Sequence, residues 1–398
     1  MSDALRTLGH EPRMFQFSAI GEPSRPEIED LVGELDRQKF DAIFDIACWG
    51  YGLTHVDLQA PDGRQEPMFD RFGVACAGML FDHPYNQAIN GIRSRRLIAT
   101  YPDRDHSRVA QLAFPALQVK HATFTPPAIR TTNDYSEPAK QPNKPIDVLF
   151  IGNLETAALE RFWKLRGNAF WSEAYDPAFC DALADTMLAD PDRSLHSGVE
   201  STMKDLGGNH GNFDVTSQMR AVEGFLRYTY RHRVMSSLAG SGLSLCIAGK
   251  GWEVLDMPAN VQRVKGTDYE GLFRLAAQAK ICIDASTYLN GANDRVFSYG
   301  LNRAVCFTNA SGYLREVFGA GQGVHFYSMN GLAELADRIK SMLAQPEGIL
   351  EEAEQARQAI RSSHTWIHRV GDILSAVRTD IPQPAAHADQ PDHRYLRK

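Results

Sequence analysis

What most constrains this chain is a pattern that occurs twice. Short apolar runs alternate with amphipathic helical stretches in two series, and a proline-rich segment separates them. In the first series Met14–Ile20, Asp41–Ala47, Val74–Phe81, Arg96–Tyr101 and Ala116–His121 read as strands. Arg25–Lys39 reads as a helix, with Ile28, Leu31, Val32 and Leu35 at helical spacing behind Ser24 as N-cap. Thr131–Pro145 then carries Pro138, Pro142 and Pro145 and reads as an interdomain linker.

The second series starts at once. Ile146–Ile151 is apolar apart from Asp147, as suits a strand buried on both faces. Further strands are expected at Leu243–Ala248, Val261–Val264, Ile281–Asp284, Ala304–Thr308 and Gly323–Tyr327. Helices should fill Gln218–Leu238, Tyr269–Gln278, Arg295–Leu301, Leu332–Leu343, Ile349–Ile360 and Thr365–Val377. The spacing predicts an α/β protein: two Rossmann-like domains facing across a cleft, residues 1–130 and 146–377, joined by the linker 131–145. A mostly helical insertion occupies 155–212, and the C-terminal helices bridge back toward the N-terminal domain. The tail 378–398 lacks a periodic apolar face and is expected to be disordered.

Composition narrows the classes. With 398 residues, 43% hydrophobic and 23% charged, the chain is ordinary globular protein with material for two or three cores. A net charge of -7 argues against a nucleic-acid binder, whose basic footprint is missing. No run of 18 apolar residues occurs and Met1–Arg13 has no apolar signal core, so a cytoplasmic protein without a membrane span is expected. Cys48, Cys76, Cys180, Cys246, Cys282 and Cys306 form no C-x-x-C pair and no metal-ligand spacing, and read as buried thiols.

Four loops at predicted strand carboxyl ends carry the candidate chemistry. They are Gly152-Asn153, Lys250-Gly251-Trp252, Gly266-Thr267-Asp268-Tyr269 and the stretch from Asn290 through Asn293 and Asp294 to Arg295. Each alone is an ordinary turn; four on one face of one sheet point to a nucleotide-type ligand. A helix opening beside Arg295 offers free N–H groups and a guanidinium, which suit a diphosphate. Neither G-x-G-x-x-G after a strand nor a P-loop is present. Loss of Arg295, read as a cleft residue, should leave fold stability little changed.

The first half has Trp49-Gly50-Tyr51 and two Asp-His pairs, Asp82-His83 and Asp105-His106, at strand ends. A carboxylate beside an imidazole can tune a general base; equally, Asp82 and Asp105 can be helix N-caps. Asp103-x-Asp105 has metal-binding spacing, but the surrounding pattern is wrong for it and no metal is expected. Trp163, Trp171 and Tyr175 read as a local core of the insertion.

The text AKICIDASTYLNGANDRVFSYGLNRAVCFTNASGYLREVFGAGQGVHFYSMNGLAELADRIKSMLAQPE, with ARQAIRSSHTWIHRVGDIL after it, resembles the C-terminal domain of the CgeB-like (spore maturation protein B-like) glycosyltransferases of GT-B architecture. LCIAGKGWE, NVQRVKGTDYEGLFRLAAQ and DVLFIGN resemble earlier parts of the same domain, so the likeness runs over Ile146–Val377 without the insertion. The resemblance implies transfer of a sugar from a nucleotide diphosphate sugar, held mainly by the C-terminal domain, to an acceptor that is a glycan, a protein or a small molecule. Where many such enzymes carry a donor-contacting Glu, this chain has Ser298; Glu316 is another carboxylate in that half. An inverting transfer would use His83 or His106 as base. A nucleotide-sugar epimerase or hydrolase, or a non-catalytic binding domain, would fit the same architecture.

Overall fold

The computed structural model describes residues 1–17, 24–46, 56–60, 62–84, 94–113, 121–137, 143–155, 176–207, 215–264, 268–319 and 321–380. The chain divides into two compact units, Met1–Thr125 with Ile367–Lys398, and Pro126–Trp366.

Unit 1 holds β1 (Ala42–Ile46), β2 (Asp57–Gln59), β3 (Gln65–Pro67), β4 (Ala75–Met79), β5 (Leu97–Tyr101) and β6 (His121–Phe124) among the described residues. β1, β4, β5 and β6 pair in that order as a parallel sheet, and β2 and β3 form a short antiparallel pair. Helix Arg25–Arg37 starts at a capping box between Ser24 and Glu27 and buries Leu31, Val32 and Leu35 in the core with Phe69, Leu80 and Tyr101. Two expectations need correction. Met14–Phe17 forms no strand: Met14 and Phe15 point to solvent, and only Phe17 packs against the core. The last strand runs His121–Phe124, past the predicted end; Ala116–Lys120 lie outside the described residues.

Unit 2 holds β7 (Ile146–Ile151), β8 (Leu245–Ala248), β9 (Val261–Val264), β10 (Ala279–Asp284), β11 (Val305–Asn309) and β12 (Val324–Tyr327). They form one all-parallel sheet in the order β12-β11-β10-β7-β8-β9. The inner strands are nearly wholly buried, whereas the edge strand β9 is half exposed, as its Gln262 and Arg263 require. The chain lays β8 and β9 on one side of β7 and then returns to place β10 on the other. Strand order therefore reverses between β7 and β10, and in open parallel sheets the crevice above such a point is where ligands sit.

The described part of the insertion is helical, Pro177–Ala189 and Leu195–Asp205, and leads into the long helix Val215–Gly240. Helix Gly312–Phe318, capped by Ser311, was not expected; seven residues show too little of a helical period. The described part of the proline-rich segment is fastened to unit 2. Tyr135 N–H donates to Asn302 Oδ1 (2.8 Å), and Asp134 pairs with Arg357 (2.7 Å). Buried Lys144 donates to the carbonyls of Ala279, Asn302 and Arg303 at 2.9, 3.1 and 2.6 Å, and burial pulls its pKa to about 8. It satisfies acceptors at the end of helix Asp294–Leu301 that the helix cannot satisfy itself.

Candidate functional site

β7 and β10 end at Ile151 and Asp284, and Arg295 spans the gap above them. Asn293 caps helix Asp294–Leu301 by accepting the Arg295 backbone N–H at 3.1 Å, which fixes Arg295 in the first turn. The Arg295 side chain donates to Ile151 O at 2.8 Å and sets Nε 3.1 Å from Asp284 Oδ1. Asp284 is fully buried; its Oδ2 accepts from Thr308 Oγ1 at 3.2 Å, while its Oδ1 meets Arg295 as an ion pair without hydrogen-bond geometry. Burial is the largest single influence on the Arg295 pKa and would lower it, but Asp284, Tyr299 and Asp294 together outweigh it and hold it above the ordinary value. Gly152 lies directly beneath: a Cβ there would stand 3.0 Å from an Arg295 nitrogen and 2.9 Å from the Phe150 ring.

The loops after β7 and β8 are locked to each other. Lys250 N–H donates to Asn153 Oδ1 (2.9 Å), Leu154 N–H to Lys250 O (2.8 Å) and the Trp252 indole N–H to Gly152 O (2.7 Å). Gly251 has φ +88°, and a Cβ on it would stand 1.6 Å from Leu154 O, so this glycine permits backbone-to-backbone contact. Trp252 is 1% exposed, with its ring edge-on to Phe150. Asn153, Gly251 and Trp252 thus hold the loops together, and the buried indole presents no face to a ligand; the expectation for Trp252 is corrected on that ground. Lys250 remains available. Its side chain is exposed and forms no hydrogen bond or ion pair among the described residues.

Asp268 caps helix Tyr269–Ala277 by accepting Gly271 N–H at 2.7 Å. Tyr269, 60% exposed, rests edge-on against Phe273 at 4.8 Å between ring centres, leaving a face open for stacking. Partial burial raises the Tyr269 pKa, and Asp294 raises it further. Gly266 and Thr267 lie outside the described residues. The expectation for Ser298 is corrected: it is buried, and its hydroxyl donates to Asp294 O at 2.9 Å within its own helix. Glu316 is exposed on helix Gly312–Phe318.

Three residues on the long helix Val215–Gly240 escaped the sequence reading. Glu223, Arg227 and Arg231 recur every fourth residue and bring one charged stripe to the same strand ends. Glu223 is buried and accepts from Arg227 at 2.7 and 2.8 Å and from Thr287 Oγ1 at 3.0 Å. Arg231 donates to Asn153 O at 2.8 Å. The four-residue spacing was the available signal, but on a long helix it reads as a solvated face.

In unit 1, His83 and His106 come together from different strand ends, with ring centres 4.3 Å apart. Both are buried, and burial lowers the His106 pKa to about 3. His106 thus stands as a buried imidazole packed against His83, held neutral by its burial. Asp103 Oδ1 accepts Asp105 N–H at 2.8 Å, and Asp105 O accepts Val109 N–H at 3.0 Å at the start of helix His106–Ala113. The Asp103-x-Asp105 spacing is a helix-start turn. Asp82 is exposed. Trp49, Gly50, Tyr51, Tyr85, Trp163, Trp171 and Tyr175 lie outside the described residues, as does Cys48; the other five cysteines are buried and free.

Residues 225–375 match the model of a family described as Glycosyl transferase-like, which covers the strand ends just described from β8 to β12. The solved structure of AviGT4, a glycosyltransferase involved in avilamycin A biosynthesis, is similar over 95% of this chain and 86% of its own, at 15% identity and a TM-score of 0.50. The chain has the GT-B glycosyltransferase fold. HepE from Anabaena in complex with UDP-glucose matches over 94% of this chain and 88% of its own, at 10% identity and a TM-score of 0.48. A glycosyltransferase from Rickettsia africae matches over 96% and 88%, at 9% identity and a TM-score of 0.43. No curated protein matches the chain. Among the described residues no helix is long and apolar enough to cross a membrane. The switch-point crevice under Arg295 lies in unit 2, which holds most of the residues that the glycosyltransferase-like model matches.

Proposed function

We propose that this protein is a CgeB-like, cytoplasmic glycosyltransferase that moves a sugar, of hexosyl type, from a nucleotide diphosphate sugar to an acceptor without a metal. The observation that supports it most is Arg295 at the strand-order reversal of a sheet with the GT-B fold. The departing nucleoside diphosphate carries at least two negative charges. Arg295, the first turn of helix Asp294–Leu301 and the exposed Lys250 put positive charge where that charge develops. Tyr269 offers the open ring against which a nucleobase would stack.

An inverting transfer needs a base, for which His83 is the candidate; a retaining transfer needs none. The test is incubation with a panel of nucleotide sugars and candidate acceptors in the presence of EDTA, followed by product analysis. A glycosylated acceptor with inverted configuration, lost in His83→Gln, supports the full reading. Altered or free sugar formed with no acceptor present supports an epimerase or hydrolase instead. Nucleotide-sugar binding with no turnover in any mixture would leave a binding domain.

A further inference from the structure

Three guanidiniums meet two carboxylates above β7 and β10. Glu223, 2% exposed, is taken by Nε and Nη2 of Arg227, and Asp284, 0% exposed, is paired with Arg295. Arg231 is left over. It has no carboxylate within ion-pair distance among the described residues, and its Nε is buried with no hydrogen-bond partner there. Burial, with Arg295 and Arg227 nearby as like charges, pulls its pKa to about 9. A half-buried cation crowded by two others is unfavourable in the empty protein, and an arriving anion relieves it.

Its anchorage says where that anion would sit. Arg231 donates to Asn153 O and Arg295 to Ile151 O, so the two guanidiniums grip the carbonyls on either side of Gly152. The missing side chain of Gly152 keeps a Cβ from crowding the Arg295 guanidinium, and Lys250 follows on the neighbouring loop. Two planar forks anchored on carbonyls two residues apart can offer one guanidinium to each phosphoryl group of a pyrophosphate.

The geometry points to Arg231 as a direct ligand of the donor's pyrophosphate, sharing it with Arg295 and making the site select diphosphates over monophosphates. This inference rests on the nucleotide diphosphate sugar reading above. It also accounts for a cation that has the Tyr228 ring beside it but no carboxylate within ion-pair distance among the described residues.

The variant is Arg231→Gln, which keeps an N–H donor for Asn153 O and removes the charge. Calorimetry with inorganic pyrophosphate, inorganic phosphate, UDP, GDP and ADP, together with the melting temperature of the ligand-free protein, reads the result. Expected are a loss of about ten- to a hundredfold in pyrophosphate and nucleoside diphosphate affinity, a smaller loss for inorganic phosphate, and an unchanged or higher melting temperature. Pyrophosphate affinity within about twofold of wild type, or a lost affinity accompanied by a lower melting temperature, overturns the role. So does a wild-type protein that does not bind pyrophosphate. Failure of the wild type to bind any of the three nucleoside diphosphates, with pyrophosphate binding intact and dependent on Arg231, sinks the donor reading and leaves Arg231 as an anion ligand.

Discussion

Arg295 and Asp284 form a desolvated ion pair, 3.1 Å from Nε to Oδ1, across the point where strand order reverses. The pair binds two roles together. Asp284 fixes the guanidinium over Gly152, and it also cancels part of the charge that a diphosphate would feel. The cationic character of the site therefore depends on Lys250 and Arg231 more than on Arg295 alone.

Arg295→Ala should destabilise the protein by about 3–5 kcal/mol, because it leaves the Asp284 carboxylate buried without its cation. That burial replaces the expectation, made for a cleft arginine, of little change in stability. Denaturant midpoints check it, and adding Asp284→Asn to Arg295→Ala should recover much of the loss. A midpoint equal to wild type in Arg295→Ala would show that the pair is not desolvated.

Lys250→Met is expected to separate binding from stability in the opposite direction. The side chain is exposed, so the melting temperature should hold within a degree or so, while nucleoside diphosphate affinity falls by about three- to tenfold and loses part of its salt dependence. Equal affinity at low and high salt in both proteins would remove Lys250 from the site.

His106 predicts an acid-sensitive fold. Its folded pKa is depressed to about 3 by burial, from an ordinary 6.5. Between these values the unfolded chain binds the proton and the folded one does not, so stability is complete above pH 6.5 and declines as pH falls toward 3. The whole effect is at most about 5 kcal/mol. In His106→Gln the decline over this window should be visibly shallower in urea titrations at successive pH values. Parallel curves for the two proteins would contradict it.

Lys144→Met should cost about 3 kcal/mol, since three carbonyls lose a buried donor together. Diphosphate affinity should not change, because the ammonium sits at the opposite end of helix Asp294–Leu301 from Arg295. A weakened ligand with normal stability would reverse that assignment.

Much of unit 2 was legible because buried parallel strands are written as nearly continuous apolar runs, as at Ile146–Ile151 and Ile281–Asp284. Helix starts were legible where a cap residue stands before an apolar face, as at Ser24. Unit 1 was less so: Met14–Phe17 has the composition of a strand but no partner that buries it. For the site, sequence shows which residues lie at strand ends but not which way they turn. Trp252 and Ser298 sit where a ligand contact was expected, yet one packs inward and the other closes a bond within its own helix. Arg231 lies 78 residues from Asn153, whose loop it serves, and only the fold brings it there.

The hydrogen bonds linking Gly152, Asn153 and Leu154 to Lys250 and Trp252 mean that the floor of the crevice is assembled before anything binds. A nucleotide arriving on it would order itself rather than the protein, so little of the interaction would be lost to immobilising loops. Such a frame also resists reshaping: broadening the range of accepted nucleotides by changing Gly251 or Trp252 would break the scaffold first, and adaptation would have to come from residues such as Tyr269 and Lys250 that the scaffold leaves facing outward.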